Sequence, residues 1–131
     1  RSASIRIPHV LSDKARRFEF RCPDSSGSPY LVTAAILMAS IDGIKNKIDP
    51  GKPMDKNIYD LPPEELAQIP GTCSSLEEAI AELEKDKAWL TAGDVFSEDF
   101  LDAYLSYKKA NEVDVARFRP NPLEFYLYYD C

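Results

Sequence analysis

Arg17-Phe18-Glu19-Phe20-Arg21-Cys22 is the stretch on which the fold turns. Phe18, Phe20 and Cys22 fall on one face and Arg17, Glu19 and Arg21 on the other, the period of a half-buried β-strand. Ser2-Ala3-Ser4-Ile5-Arg6-Ile7 alternates in the same way, with Ala3, Ile5 and Ile7 opposed to Ser2, Ser4 and Arg6, until Pro8 ends the run. The two runs read as an antiparallel strand pair joined by the loop 8–16, which is too long to assign a tight turn. A chain that starts at Arg1, inside the first of these runs, is expected to be a piece of a longer protein.

Beyond the strands the pattern turns helical. Ser28-Pro29 is a helix start, a hydroxyl N-cap followed by proline at N1. The helix is expected over 29–48. It is apolar nearly all round at first and then carries a stripe of Leu37, Ile41, Ile44 and Ile48. Residues 49–71 are irregular and hold five of the chain's ten prolines, which marks a functional or disordered loop. From 75 to 131 the chain reads as helical. Ser75-Leu-Glu-Glu78 is a capping box with Leu76, Ile80 and Leu83 inward. Ser97 opens a helix with Phe100, Leu101, Tyr104 and Leu105 inward, and Asn121-Pro122-Leu-Glu124 opens the last one. The expected class is α+β: an antiparallel pair from a larger sheet, followed by packed helices.

Composition narrows the function. The 131 residues carry a net charge of −6, yet Arg1, Arg6, Lys14, Arg16, Arg17 and Arg21 against Asp13 and Glu19 give residues 1–21 a charge of +4, leaving −10 for the remainder. A basic enclave in an acidic chain suits a small anion and disfavours nucleic acid, whose phosphates the remainder would repel; charge alone also permits, and favours, basic and acidic segments that pair within the fold. No apolar run reaches the ~20 residues needed to span a bilayer, and no signal peptide is evident. Cys22, Cys73 and Cys131 are odd in number and widely spaced, so reduced thiols in a cytoplasmic protein are the simplest account.

The alternation sets Arg17, Glu19 and Arg21 on one face at intervals of about 6.6 Å. The residues alone permit two readings. One is a solvated ladder of ion pairs, which contributes little. The other is a site with one metal-holding carboxylate between two anion-holding guanidinium groups, the combination that phosphoryl transfer uses. Arg6 on the neighbouring strand extends that face, and Arg1 and Lys14 at the strand ends could fold in. His9 has no metal partner in view and reads as a loop residue. Trp89 reads as packing, and the acidic stretch Glu77 to Asp86 as a solvated helix face.

Several ordered motifs together resemble the glutamine synthetase family in its shorter bacterial class. Arg-Ser-Ala-Ser-Ile-Arg-Ile-Pro (1–8) is similar to the segment after the family's glutamate flap, and Lys14-Ala-Arg-Arg-Phe-Glu-Phe-Arg21 to its next strand. Asp42-Gly-Ile-Lys-Asn-Lys-Ile48, Asp49-Pro-Gly51 and Lys56-Asn-Ile-Tyr-Asp-Leu-Pro-Pro63 resemble its long helix and the loop after it. Ser75-Leu-Glu-Glu78 and the aromatic stretch Pro122 to Tyr129 resemble its end. Asp49 and Cys22 depart from the His and Phe common there. The likeness runs over 1–131 as the C-terminal part of the family's catalytic domain, with 1–22 as active-site strands, 29–48 as core helix, 49–71 as regulatory loop and 75–131 as the helical end.

The resemblance, and not the spacing, implies an activity and a role for each site residue. The activity is ATP-dependent joining of ammonia to glutamate through γ-glutamyl phosphate. Arg1 would be catalytic, touching ATP and the glutamate end, and Arg6, Lys14 and Arg17 would hold ATP. Arg21 would bind the glutamate carboxylate, and Glu19 would be a ligand of Mg²⁺ or Mn²⁺. Tyr59 would be an acceptor for an adenylyltransferase. The parent would be a homo-oligomer of two stacked hexameric rings, with the other metal ligands outside these residues and the isolated chain inactive. The rival expectation is a non-catalytic packing or oligomerisation module.

Overall fold

A computed structural model of the chain describes residues 3–54 and 56–130. These divide into two units, one running to Thr72 and one starting at Cys73. The elements make an α+β set, one antiparallel strand pair followed by helices.

The first unit opens with β1 (Ile5–Arg6) and β2 (Glu19–Phe20), antiparallel, with Ile5 opposite Phe20 and Arg6 opposite Glu19. The Arg21 N–H donates to the Ser4 carbonyl at 2.8 Å and extends the pairing by one bond. The ladder is shorter than the alternating runs. Pro8 has no N–H to give it, and the connection is drawn into a one-turn helix, Asp13–Ala15, closed by an Arg16–Asp13 ion pair at 2.7 Å. The apolar face was expected to fill a core. Instead Ile5, Ile7, Phe18 and Phe20 all remain exposed, because a two-stranded ribbon has no second layer of its own to cover them.

Helix α1 (Pro29–Lys45) begins with proline at N1, as its sequence predicts. The Ser28 hydroxyl does not cap it; the Ser28 carbonyl starts the ladder by accepting from the Val32 N–H at 3.0 Å. The helix stops at Lys45 rather than Ile48. The Lys47 N–H returns to the Ile44 carbonyl at 3.3 Å and the Ile48 N–H to the Gly43 carbonyl at 3.0 Å. With Lys47 at a φ of 50°, that is a Schellman turn. The buried side differs from the expected stripe as well. Met38 is buried with Leu31, Ala35 and Ile41 half-buried beside it, whereas Leu37, Ile44 and Ile48 are exposed.

The segment 49–71 is not structureless. Asp49 accepts from the Gly51 N–H at 2.9 Å in a turn where Gly51 takes a φ of 76°. A 3-10 turn follows at Ile58–Asp60, and a single helical turn, α2 (Pro63–Leu66), starts on a proline.

The second unit is helical: α3 (Leu76–Lys85), α4 (Ala88–Thr91), α5 (Glu98–Lys108), a wide π-helical turn at Lys109–Val113, α6 (Asp114–Arg117) and α7 (Pro122–Tyr128). Ser75 caps α3 through the Glu78 N–H at 3.1 Å, but the Glu78 carboxylate reaches back to Ser74 rather than to Ser75. Ser97 caps α5, and Asn121 caps α7 by accepting from the Leu123 and Glu124 N–H groups. Ile80, Leu90, Phe96, Leu101 and Leu105 are buried and form the core. Phe100 and Tyr104 were expected inward. They lie instead in an exposed row that starts from Phe96, the successive ring centroids 6.0 and 6.1 Å apart, since α5 buries only its Leu101–Leu105 edge. Leu76 is exposed and Leu83 half-buried. Ion pairs Lys87–Asp102 at 2.6 Å and Arg117–Glu77 tie α5 and α6 to the front of the unit. Trp89 is half-buried, its indole N–H donating to the Asp86 carbonyl.

Candidate functional site

The polar face of the strand pair gathers four of the residues singled out by sequence. The register places Arg6 directly across from Glu19. Period-two alternation puts Arg17 and Arg21 on the same side of β2 as Glu19. Glu19 Oε2 accepts from Arg6 Nη1 and from Arg21 Nη2, each at 3.2 Å. Arg17 Nη2 lies 4.0 Å from Oε1, while Arg17 Nη1 donates to the Ala15 carbonyl at 3.4 Å. One carboxylate therefore sits among three guanidinium groups.

Its ionisation follows from that setting. Partial burial of Glu19 pushes its pKa upward, but the hydrogen bond from Arg21 and the charge and hydrogen bond of Arg6 outweigh it and hold the carboxyl below its ordinary value. The group is an anion at any pH near neutrality. The three arginines leave a net positive face around it, open to water, since the Glu19 side chain keeps 32% of its exposure and the arginines more.

Lys14 is not part of this cluster. It is exposed on the one-turn helix Asp13–Ala15 and forms no ion pair among the described residues. Arg1, the expected catalytic residue, lies outside the described residues. The Arg16–Asp13 pair was not foreseen, although acid and base three apart in a polar loop are a signal for it.

The donor set also bears on metal binding. Glu19 offers one hard carboxylate oxygen, of the kind Mg²⁺ and Mn²⁺ take. Among the described residues no group of three or more His, Cys, Asp or Glu converges on a common point. The chemistry fits one ligand of such an ion, and a full coordination shell needs groups beyond these.

Tyr59 stands in the first unit at the 3-10 turn Ile58–Asp60, with 75% of its surface exposed. Asn57 accepts from the Tyr59 N–H at 3.3 Å and donates to Asp60 at 2.6 Å, and Lys56 pairs with Glu65 at 2.7 Å. The ring is displayed on a braced turn and not packed away. Cys22 and Cys73 are free exposed thiols, and His9 is exposed. No helix among the described residues is long and apolar enough to cross a membrane.

Comparison with known proteins agrees with the motifs. The sequence model of the family described as "Glutamine synthetase, catalytic domain" matches residues 1–128. Glutamine synthetases from Microchaete diplosiphon, Azotobacter vinelandii and Escherichia coli K12 are 58%, 60% and 57% identical to the chain, over 100%, 98% and 98% of it. The chain spans only 28%, 27% and 27% of the length of those three relatives. With the family's model matched from end to end of the described strands and helices, the chain belongs to the glutamine synthetase catalytic-domain family.

Proposed function

We propose that the chain is the C-terminal part of a glutamate–ammonia ligase and contributes part of an active site that makes glutamine from glutamate, ammonia and ATP. The observation that carries this reading is the Arg6–Glu19–Arg21 cluster, a carboxylate and paired guanidinium groups on one exposed strand face, in a chain of this family. Arg6, Arg17 and Lys14 face the ATP phosphates, and Arg21 binds the glutamate carboxylate as a planar fork. Arg1 serves both ends of the transfer. Glu19 is one ligand of Mg²⁺ or Mn²⁺, which when bound supplies charge neutralisation at the transferring phosphoryl group. The glutamate side-chain carboxylate attacks the γ-phosphorus of ATP and ADP leaves. Ammonia then displaces phosphate from γ-glutamyl phosphate, losing a proton. The arginine face holds both anions against their mutual repulsion, which is where positioning and charge lower the barrier.

Ammonia- and glutamate-dependent ATP turnover by the full-length protein tests the reading. Turnover that ignores either co-substrate overturns it. The protein is read as cytoplasmic, and Tyr59, exposed on its braced turn, as the acceptor of an adenylyl group from an adenylyltransferase. A second role is favoured by α7, whose Leu123, Phe125, Tyr126, Leu127 and Tyr128 are all exposed. This helix is read as the contact that joins subunits into two stacked hexameric rings. As a packing module it would serve even where the chain by itself is not catalytic.

A further inference from the structure

The anion-binding face already holds an anion, and it is part of the same chain. Glu19 Oε2 is shared by Arg6 and Arg21, each at 3.2 Å, and Arg17 stands 4.0 Å from the other oxygen. We propose that Glu19 acts as an internal counter-anion that closes the face, so that Arg6 and Arg21 bind phosphate or carboxylate ligands fully only when its carboxylate is drawn away. The inference rests on the reading of this face as a phosphate and carboxylate site, and it assigns that site its own gate.

The geometry sets the two anions in competition. A guanidinium binds a phosphate or carboxylate best through two N–H groups along one edge of its planar fork. Arg6 Nη1 and Arg21 Nη2 each give an N–H to the same carboxylate oxygen. An incoming anion competes with that oxygen for the edges that face it, or takes the remaining donors with a like charge close by. Drawing the carboxylate towards a divalent cation removes both obstacles together and frees two arginines on opposite strands at once. The coupling is reciprocal: whatever tightens anion binding by releasing Glu19 is tightened by the anion to the same degree. The ion pairs are exposed, so the gate is shallow, in the range of roughly three- to tenfold in affinity. It adjusts the order and tightness of loading and does not block it.

The test measures binding, not turnover. Inorganic phosphate is titrated into the metal-free full-length protein and its Glu19→Gln variant at constant ionic strength, and the arginine Nε–Hε resonances are followed by NMR after selective arginine labelling. The amide keeps the shape and removes the competing charge. Glu19→Gln is expected to bind phosphate about three- to tenfold more tightly, and adding Arg21→Gln to that variant should abolish the gain. Unchanged or weaker binding in Glu19→Gln, or no phosphate-dependent shift in either protein, overturns the proposal. A variant whose strand pair has come apart leaves the decision to the wild-type protein, where the Arg6 and Arg21 resonances should move together with one midpoint as phosphate displaces their shared carboxylate. Movement of Arg21 alone, or of neither, overturns the gate. A full-length protein without ligase turnover would overturn the proposed activity and leave these binding results standing.

Discussion

Glu19 is where the two readings of the strand face diverge most sharply. As an idle member of a salt-bridge ladder it could be removed at little consequence, because exposed ion pairs contribute little. As a metal ligand its loss should be felt in catalysis first. Glu19→Ala in the full-length protein is expected to lower turnover by at least about a hundredfold, the size of effect seen when groups merely supporting a metal site are removed. The thermal midpoint should barely move, since the side chain lies on the exposed polar face. A variant that unfolds, or that keeps wild-type turnover, would return Glu19 to the ladder. Acid supplies a second residue-scale test. The backbone N–H and hydroxyl of Ser74 hold Glu78 below its ordinary 4.5, and the backbone and side chain of Ser26 do the same for Asp24 relative to 3.8. A carboxyl whose folded pKa is depressed binds protons more weakly when folded, so its contribution is complete above the unfolded value and fades as pH falls through the folded one. Denaturant midpoints followed through the second unit's helix signal should therefore be level from pH 7 to about 5 and decline below about 4. Glu78→Gln, which keeps the acceptor but cannot gain a proton, should flatten part of that decline; an identical acid profile would show that the Ser74 bonds do not set it.

Among the elements, the strand pair was the most legible. Alternation is specific to strands, and it fixed which residues share a face, so the Arg6, Arg17, Glu19 and Arg21 group could be read before its geometry was known. Helix α1 was legible in kind but not in orientation. Its first half is apolar on every side, so periodicity singles out no face, and the structure buries Met38 rather than the Leu37–Ile44 line. Its end was missed because the residue that turns the chain, Lys47, is no glycine, and sequence carries no warning of a lysine in the left-handed region. The aromatic row was missed for a related reason: Phe100 and Tyr104 are apolar enough to be counted as core, and only the narrow buried edge of α5 keeps them at the surface. The Schellman turn itself makes a prediction. A side chain at a φ of 50° costs about 1–2 kcal/mol, offset in part by glycine's larger unfolded-state entropy. Lys47→Gly is expected to stabilise the first unit by roughly 0.5–1 kcal/mol. Urea unfolding monitored through the first unit checks it, and destabilisation would mean that Lys47 is held there by a contact of its own.

At the scale of the molecule, the apolar surface is arranged for company. In the first unit Met38 is the one buried residue among those described, while Ile5, Ile7, Phe18, Phe20, Tyr30, Leu37 and Ile44 remain exposed. The second unit has a small core, yet α7 carries exposed apolar side chains over most of its circumference, interrupted by Glu124. Seven residues make about two turns, too few to be stable as an isolated helix, and the Asn121 cap can offset only part of that deficit. The 131-residue chain is accordingly expected to form no glutamine when supplied with glutamate, ammonia, ATP and Mg²⁺, because among the described residues Glu19 has no companion carboxylates or histidine to complete a metal site. Glutamine appearing in a preparation free of longer enzyme would refute that. The exposure of α7 leads further. A helix with Leu123, Phe125, Tyr126, Leu127 and Tyr128 spread around its axis cannot cover them against one flat surface, so on the proposed docking reading its partner would enclose it. A second copy of the same protein meets that need in both directions, each subunit's helix entering its neighbour, which is the self-complementary arrangement a two-fold contact requires. Removing residues 122–131 from the full-length protein should then halve the assembly while leaving the fold of each half intact, and sedimentation velocity would register the smaller species. Tyr126→Asp, placing a charge on the most exposed ring of the helix, should do the same without shortening the chain. A sedimentation profile unchanged in both variants would mean that the subunits are joined elsewhere and that α7 is covered from within its own chain.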